Sequence, residues 1–376
     1  MFKRKKILFI ITTLAGGGAE KVLITMLKHF DYLRFDVELL LIYNEGIYLA
    51  DVPQEVKVHY LYHKPLSICE KINYNLKTRF NNESGYKLLT RSKVGKYDTI
   101  ISFLEGFSLK YHSYIVDRAK KNISWVHIDL FNFHYTNGRF FSEKEEKEAY
   151  NKMDKIVFVS NDAKKQFEKL YPDNLINKDV ILNPIEKDLI SQYKKEYKKY
   201  SEDRCFNIVS VGRLVSQKAY DRLVRLAKRL KDDNYNFHIN IIGEGELRKD
   251  LEKLIVENQV ESQVSLVGFV KPPYEVMSNA DLFVSSSVAE GFSLVVAEAF
   301  CLGLPVVSTK TTGPIELLDN NKYGLLTDHD DDESIYQAVK KMIDDDNLRE
   351  YYHKKSFERA EALDIEKIMK QIYSIL

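Results

Sequence analysis

The sequence has few cysteines and lacks a long apolar run. Its three cysteines, Cys69, Cys205 and Cys301, lie far apart, and none belongs to a CxxC pair. This spacing argues against both a disulfide framework and a zinc site and is typical of a protein from a reducing compartment. No apolar segment reaches the roughly 18 residues that a membrane-spanning helix needs. We therefore expect neither a disulfide-stapled scaffold nor a transmembrane helix.

An excess of charge of one sign is also absent. The chain has 56 Lys and Arg against 55 Asp and Glu, for a net charge of +1. A general nucleic-acid binder normally carries a basic excess, so we expect no nucleic-acid partner. At 376 residues, with 44% hydrophobic and 30% charged residues, the composition is that of a globular protein with two domains.

The first residues allow two interpretations. MFKRKK followed by ILFIITTLA has the charged and apolar regions of a signal peptide. The apolar segment at 6–14 also runs directly into a glycine-rich turn at 15–18 and an amphipathic helix at 19–30. We favour a strand, because a strand, a glycine loop and a helix form the first unit of a nucleotide-binding domain. The loop does not match the dinucleotide fingerprint GxGxxG, since Lys21 stands at the place of the last glycine.

The stretch at 281–309, DLFVSSSVAEGFSLVVAEAFCLGLPVVST, is the most informative in the chain. Two apolar runs flank a short loop and a helix over about 293–302, a pattern that predicts a βαβ unit in a parallel sheet. Glu290 lies in the loop and Glu298 inside the apolar helix. Ligands bind at the carboxyl ends of parallel strands, where the first helical amides can also hold an anion. The alternative is a solvated loop residue and an ordinary helix surface residue.

A second strand-to-helix loop carries two cations. It follows an apolar strand at 206–211 and contains Arg213 and Lys218. Arg can grip a diphosphate through two hydrogen bonds and Lys can supply a point charge, so the two side chains can converge on one diphosphate. Isolated cations in a loop are otherwise mostly exposed to solvent.

These stretches resemble the motifs of a known family. GRLVSQKAYDRL at 212–223 and the E-x7-E spacing of Glu290 and Glu298 are similar to signatures of the family-4 retaining glycosyltransferases. Ala219 stands where that family more often has glycine. The resemblance, which extends over nearly the whole chain, implies the α/β fold called GT-B, with two Rossmann-like αβα domains facing each other across a cleft. It also implies retaining, metal-independent transfer of a hexose or N-acetylhexosamine from a nucleotide diphosphate sugar, with UDP as the expected nucleotide.

The resemblance implies roles for individual residues. Glu290 and His127, which ends a predicted strand, would hold the transferred sugar, and Glu298 would bind the ribose. On position alone, a single His such as His127 is more often structural. The diphosphate charge would be stabilised by Arg213 and Lys218, by the glycine loop at 16–18 and by the helix amides near Ser293, and no residue is assigned as a base. Further donor contacts are expected from the glycine loop, a strand end that faces the base and the helix amides: Gly16, Gly17, Gly18, Phe269, Val270, Phe292, Ser293 and Leu294.

The domain boundary is expected near an LNPI sequence, which resembles the family's interdomain hinge. Residues 1–185 would form the acceptor-side domain and residues 186–357 the donor-binding domain. A linker rich in Lys and Tyr is predicted at 186–204. As in other GT-B proteins, a C-terminal helix at about 358–376 would pack back on the first domain.

Two segments leave alternatives open. Tyr62–Lys96 is basic and amphipathic, so it could lie on an anionic membrane or form a solvated helix pair. Related enzymes use this region to reach lipid-linked acceptors. That favours a cytoplasmic enzyme, peripheral to the inner membrane face, that extends a lipid-linked glycan in surface polysaccharide synthesis. The aromatic segment, FNFHYTNGRFF at 131–141, could stack on sugar rings or fill the core.

Rival functions share parts of this pattern. A sugar-nucleotide-binding subunit or an epimerase with a GT-B fold would keep the donor site without transferase activity. A nicotinamide-dependent oxidoreductase would need the missing GxGxxG. The acidic run Asp330–Asp332 could suggest a metal, but acidic residues also suit a helix N-terminus. We interpret the run as a helix start and expect no metal and no cofactor.

Overall fold

The computed structural model describes residues 3–63, 83–197, 204–328 and 330–376. The chain divides into two compact units, the first Met1–Pro184 with Glu366–Leu376 and the second Ile185–Ile365. The division after Pro184 lies beside the expected boundary. The return to the first unit begins at Glu366 rather than near residue 358, because Asp346–Glu361 is one unbroken helix that belongs to the second unit.

The first unit is built on a parallel sheet. Its described strands are β1 Lys5–Ile11, β2 Phe35–Asn44, β3 Lys57–His63, β4 Tyr97–Ser102, β5 Ala119–Val126, β6 Lys155–Phe158 and β7 Asn177–Val180. They run in the order β3-β2-β1-β4-β5-β6-β7, and each neighbouring pair is parallel. The apolar run ILFII of β1 is fully buried, as expected of a strand covered on both faces. The order reverses between β1 and β4, and open parallel sheets bind ligands at such a switch point.

Helices connect the strands of this sheet. Those described are α1 Gly18–Lys28, α2 Glu83–Lys93, α3 Phe107–Ser113, α4 Glu143–Asn151 and α5 Asn161–Leu170. In α1, Val22, Met26 and Leu27 recur at helical spacing and are buried, as the sequence predicts. Ser160 caps α5, because its hydroxyl accepts a hydrogen bond from Ala163 N at 3.1 Å.

The second unit repeats this plan. Its described strands are β8 Phe206–Val211, β9 Phe237–Ile242, β10 Val264–Gly268, β11 Leu282–Ser285, β12 Val306–Thr309 and β13 Leu325–Thr327. The parallel order β10-β9-β8-β11-β12-β13 places the switch point between β8 and β11. The remaining described helices are α6 Lys187–Ser191, α7 Asp221–Asp232, α8 Arg248–Glu257, α9 Tyr274–Met277, α10 Leu294–Cys301, α11 Thr312–Leu318, α12 Asp332–Asp344, α13 Asp346–Glu361 and the C-terminal α14 Ile365–Ile375. None of the helices described has the length and apolarity needed to cross a membrane.

Two helix starts bear on the sequence predictions. The segment at 186–204, expected as a linker, contains α6, and Ile190 of that helix is buried. The beginning of the segment is therefore packed rather than extended. The acidic run begins α12, as predicted. Asp331 is the N-cap, and its carboxylate accepts a hydrogen bond from Glu333 N at 2.9 Å.

The C-terminal helix α14 returns to the first unit through Tyr373. The Tyr373 ring stacks on Phe35 with centroids 5.3 Å apart and meets Phe30 edge-on at 5.5 Å. Its hydroxyl donates a hydrogen bond to His29 O at 2.9 Å and accepts one from Asp31 N at 2.9 Å. Tyr373 thus adds both apolar and polar contacts to those of the buried residues of the last helix.

We expect Tyr373→Ala to destabilise the first unit by about 2 kcal/mol, because it removes aromatic pairs and two hydrogen bonds. Tyr373→Phe keeps the ring and should cost only about 1 kcal/mol. Denaturant unfolding followed by fluorescence of Trp125, the one tryptophan of the chain, measures both changes in the first unit. Equal losses in the two variants would show that the ring packing contributes nothing.

Candidate active site

The loops that follow β8 and β11 lie side by side at the switch point of the second sheet. β8 and β11 are adjacent parallel strands, so their carboxyl ends share one edge. Val288 N donates a hydrogen bond to Gln217 O at 2.9 Å, and Gln217 Nε2 donates to Ala289 O at 2.7 Å. Ser286 Oγ donates to Lys218 O at 2.9 Å. The loops that carry the predicted charges are therefore joined directly.

Lys218 and Glu290 form an ion pair. Lys218 Nζ donates to Glu290 Oε1, and the same oxygen accepts a hydrogen bond from Ser287 Oγ at 2.9 Å. Glu290 is only 9% exposed, so the interpretation of a solvated loop residue is wrong. Separating the partners would leave an unpaired buried charge, which is costly. Burial therefore holds the two charged side chains together.

The Lys218 side chain passes over Gly212 to reach Glu290. A Cβ atom at Gly212 would lie 2.9 Å from Lys218 Cε and 2.7 Å from Tyr220 Oη. Both distances are shorter than ordinary contacts, so with any larger residue at position 212 the ends of the two side chains would have to move. The glycine of the GRL motif thus serves the ion pair, a role that its place in the sequence does not reveal.

Arg213 is the uncompensated cation of the site. Its side chain is exposed and forms no hydrogen bond or ion pair with any residue that the structure describes. Lys218, in the same loop, is already paired with Glu290. The loop therefore presents one unpaired guanidinium, whose planar donors suit two oxygens of a phosphate. Within the described ranges, no group of three or more His, Cys, Asp or Glu side chains could hold a metal ion.

The loop after β12 supports the Glu290 loop. Thr312 Oγ1 donates to Glu290 O, and Gly313 N donates to the same carbonyl at 3.1 Å. Thr309 Oγ1 donates to Ser287 O. These contacts fix the backbone on both sides of the carboxylate. The hydroxyl run at 285–287, SSS at a strand end, is the sequence signal that could have identified Ser287.

Two buried hydroxyls flank these loops without a protein partner. Ser293 and Thr311 are 4% and 7% exposed, and neither hydroxyl oxygen is hydrogen-bonded to a described residue. Ser293 precedes α10 with φ of 63°, a left-handed conformation that is uncommon outside glycine. An unpaired buried hydroxyl costs about 1–3 kcal/mol, so both groups are candidates for hydrogen bonds to a ligand. The sequence predicts Ser293 for its amide and identifies neither hydroxyl.

The other residues expected at the donor lie in both buried and exposed positions. Glu298, in α10, is 2% exposed, so the interpretation of a surface residue is wrong. Phe292 is also buried, and Leu294 begins α10. Phe269 and Val270 follow β10, and Phe269 is 58% exposed. The ribose and base contacts of these residues stay predictions.

The glycine loop of the first unit holds a carboxylate of its own. Glu20, in the first turn of α1, accepts hydrogen bonds through Oε2 from Gly16 N at 2.8 Å and from Gly17 N. Its Oε1 accepts one from Thr13 Oγ1 at 2.9 Å. Two of the three amides expected to contact the donor are therefore engaged within the protein. The sequence signal is a Glu at the third helical position, the acidic half of a capping box.

His127 follows β5 directly, as predicted. Its ring lies against Phe103 with centroids 4.7 Å apart. Both ring nitrogens are buried, and neither has a hydrogen-bond partner in the described part of the chain. Burial lowers the pKa of His127 to about 3. The imidazole is therefore neutral near pH 7, where it can exchange hydrogen bonds with hydroxyls but adds no charge.

Glu105, which the sequence does not single out, connects the end of β4 to the aromatic segment. Its carboxylate is 3% exposed and accepts hydrogen bonds from His127 N at 3.0 Å and from Tyr135 Oη at 2.7 Å. Burial raises the pKa of Glu105. In the aromatic segment, Phe140 is buried whereas Phe131 is 49% exposed. Core filling thus applies to Phe140, and sugar stacking stays a prediction for the exposed rings.

We expect Lys218→Met or Glu290→Gln alone to lower the free energy of unfolding by about 3 kcal/mol, because each leaves a buried charge without its partner. The double variant leaves neither charge and should lose less than the sum of the two single losses. Chemical denaturation of the four proteins, followed by circular dichroism, gives the coupling energy. Strictly additive losses would show that the two side chains do not stabilise each other.

His127 should make stability depend on pH. Its folded pKa lies below the ordinary value of about 6.5, so the unfolded chain binds the proton more readily. The stability is fully present above about pH 6.5 and is lost as the pH falls toward the folded pKa. The melting temperature of His127→Gln should therefore fall less than that of the wild type between about pH 7 and 5. Parallel pH profiles of the two proteins would contradict a buried, neutral His127.

Comparisons with known proteins show which family the chain resembles. The model of the family described as glycosyl transferases group 1 matches residues 191–359. The chain is 30% identical over 396 residues to the N-acetylgalactosamine-N,N'-diacetylbacillosaminyl-diphospho-undecaprenol 4-alpha-N-acetylgalactosaminyltransferase of Campylobacter jejuni, with 99% of each chain covered. It is 28% identical over 204 residues to the capsular polysaccharide biosynthesis glycosyltransferase CapM of Staphylococcus aureus, with 53% of this chain and 48% of CapM covered. The structure of Anabaena HepE in complex with UDP and glucose is similar, with a TM-score of 0.77, 19% identity and 99% of each chain covered.

These matches extend over both units. The Campylobacter relative covers nearly the whole chain, and the family model covers most of the second unit, including the loops after β8, β11 and β12. The likeness to HepE confirms the expected GT-B fold. The chain therefore belongs to the group 1 glycosyl transferases, as its motifs predict, and is a glycosyltransferase.

Proposed function

We propose that the protein is a retaining, metal-independent transferase that moves a hexose or N-acetylhexosamine from a UDP-sugar to a glycan acceptor. The observation that carries the proposal is the buried Lys218–Glu290 pair together with the unpaired Arg213 of the same loop, at the switch point of the second unit. A cation for the diphosphate and a fixed carboxylate for the sugar hydroxyls are the groups that a nucleotide sugar needs. The complex of Anabaena HepE with UDP and glucose supports UDP as the nucleotide.

In the proposed reaction, the bond between the sugar C1 and the β-phosphate oxygen breaks, and a bond from C1 to the acceptor oxygen forms on the same face. The acceptor proton passes to the departing phosphate oxygen, so no protein base is assigned. Negative charge grows on the diphosphate as the bond breaks. Arg213 would bind two of its oxygens, and the amides of Ser293 and Leu294 at the start of α10 would add fixed dipoles.

Glu290 would hold the sugar through its second oxygen. Lys218 and Ser287 both bind Oε1, and Oε2 has no hydrogen-bond partner among the described residues. Because the ion pair fixes the carboxylate, a sugar hydroxyl on Oε2 would be oriented without rearrangement of the protein. The Lys218 ammonium has three N–H donors, so it can keep Glu290 and still donate to a phosphate oxygen.

We propose a lipid-linked glycan as the acceptor, in the synthesis of a surface polysaccharide or glycoconjugate at the cytoplasmic face of the membrane. Two relatives support this: the name of one includes diphospho-undecaprenol, and the other belongs to capsular polysaccharide biosynthesis. Peripheral membrane contact through Tyr62–Lys96 is part of the proposal, and residues 64–82 of that segment lie outside the described residues. In the described part, Tyr86 of α2 is buried and Leu88 is 72% exposed.

The proposal predicts that Arg213→Ala weakens UDP binding by about 10- to 100-fold. The substitution removes at least one charge-assisted hydrogen bond, worth about 1.5–3 kcal/mol. Isothermal titration calorimetry with UDP, GDP and NAD measures the change. Arg229→Ala is the matched control, because Arg229 is 40% exposed in the same unit but pairs with Glu333.

Equal UDP affinity in Arg213→Ala and the wild type would remove the main support of the proposal. Tighter binding of GDP than of UDP would keep the site and change the nucleotide, whereas binding of NAD alone would contradict a nucleotide-sugar site. Release of UDP from a UDP-sugar only when an acceptor is present separates a transferase from a sugar-nucleotide-binding subunit or an epimerase.

A further inference from the structure

The protein holds the Glu290 carboxylate through one oxygen only. Oε1 accepts hydrogen bonds from Lys218 Nζ and from Ser287 Oγ, the latter at 2.9 Å. No described residue is hydrogen-bonded to Oε2. The direction in which Oε2 points therefore depends on how firmly the two donors at Oε1 fix the plane of the carboxylate.

The two donors differ in what they can fix. The last side-chain torsion of a glutamate has a broad energy minimum, so a carboxylate held at one oxygen can turn about it. The Lys218 ammonium is a compact charge with three donors on a flexible stem, so it can follow the oxygen as the carboxylate turns. The Ser287 hydroxyl lies on a short side chain of a residue that is 2% exposed, so it has little freedom to follow. Lys218 therefore balances the charge of Glu290, whereas Ser287 limits the rotation of its carboxylate.

Ser287 and Glu290 are both held from the neighbouring strand. Thr309 Oγ1, at the end of β12, donates a hydrogen bond to Ser287 O. In the loop that follows β12, Thr312 Oγ1 and Gly313 N donate to Glu290 O, the latter at 3.1 Å. The backbone is therefore fixed at the residue that carries the hydroxyl and at the residue that carries the carboxylate. The hydrogen bond between these two side chains thus starts from two fixed points.

We infer that Ser287 is a positioning residue for the transferred sugar, because its hydroxyl sets the orientation of Glu290 Oε2. The inference rests on the proposed function, in which Oε2 accepts a hydrogen bond from a sugar hydroxyl. Ser287 acts through Glu290 and not by touching the sugar. Without the hydroxyl, Lys218 would still pair with Glu290, but the carboxylate could turn and Oε2 would face the sugar for only part of the time. Binding of the sugar part of the donor would therefore weaken, and binding of UDP alone would not.

Calorimetric titration of the full-length protein tests this split between sugar and nucleotide. The ligands are UDP and four UDP-sugars: UDP-glucose, UDP-galactose, UDP-N-acetylglucosamine and UDP-N-acetylgalactosamine. In Ser287→Ala, we expect UDP to bind as it does to the wild type and the best-bound UDP-sugar to bind about tenfold more weakly, because its hydrogen bond to the carboxylate is weakened. Ser287→Cys keeps a weak donor and should lose less affinity for that UDP-sugar. If Ser287→Ala does not fold, Ser287→Cys should still bind the UDP-sugar more weakly than the wild type and UDP equally well.

Ser308→Ala is the matched control. Ser308 is also a buried serine, on β12, but its hydroxyl donates to Thr309 O at 3.3 Å and not to a carboxylate. Its removal should leave the ratio of the UDP-sugar and UDP dissociation constants at the wild-type value. The same ratio in Ser287→Ala as in the wild type, or the same change of ratio in both alanine variants, would overturn the inference and leave the proposed function standing. If the wild type binds UDP but none of the four UDP-sugars, the proposed function fails and the inference fails with it.

Discussion

The Lys218–Glu290 ion pair is buried where β8 and β11 end. Because removing both charges from water costs free energy, the surrounding loops have to hold the pair in good geometry. With side chains only 18% and 11% exposed, the pair is stable only while its geometry is kept. Gln217 bonds one loop to the other, Thr312 bonds the carbonyl of Glu290, and Gly212 leaves space for the lysine. Looser loops would let water reach both charges, and the carboxylate would lose its fixed orientation. The preorganisation of the site is therefore a consequence of burying the pair.

The two units share one sheet topology, but the loops beside their switch points differ in charge. In each, a strand beside the switch point leads through a loop into a helix. The loop after β8 presents Arg213 to solvent. The loop after β1 is occupied by the Glu20 carboxylate, and His127 at the end of β5 is uncharged because burial lowers its pKa. Of these two loops, the one after β8 therefore offers an anion an unpaired cation, whereas the one after β1 carries a carboxylate of its own.

Sequence patterns located the elements best where a continuous apolar run or a cap defines both ends. β8 at Phe206–Val211 has the predicted bounds, and α12 begins at the acidic run, as predicted. The helix α6 escaped prediction, because one buried residue, Ile190, gives too weak a periodic signal. Lys218 and Glu290 were each predicted as functional, but the sequence alone could not predict that they form an ion pair. Because 72 residues separate them, only the adjacency of β8 and β11 brings them together.

Charge balance constrains how these loops can hold a diphosphate. The Lys218–Glu290 pair is neutral as a whole, so Arg213 alone adds net positive charge, whereas a diphosphate carries more than one negative charge. In the proposed function, dipoles would supply further stabilisation, and the α10 amides and the buried hydroxyls of Ser293 and Thr311 are the candidate groups for it. Fixed dipoles need no rearrangement, so their interaction strengthens as charge develops on the leaving group. The hydroxyls of Ser293 and Thr311 are costly to bury without a hydrogen-bond partner. In the proposed function, the charged phosphate oxygens of the bound nucleotide would supply that partner.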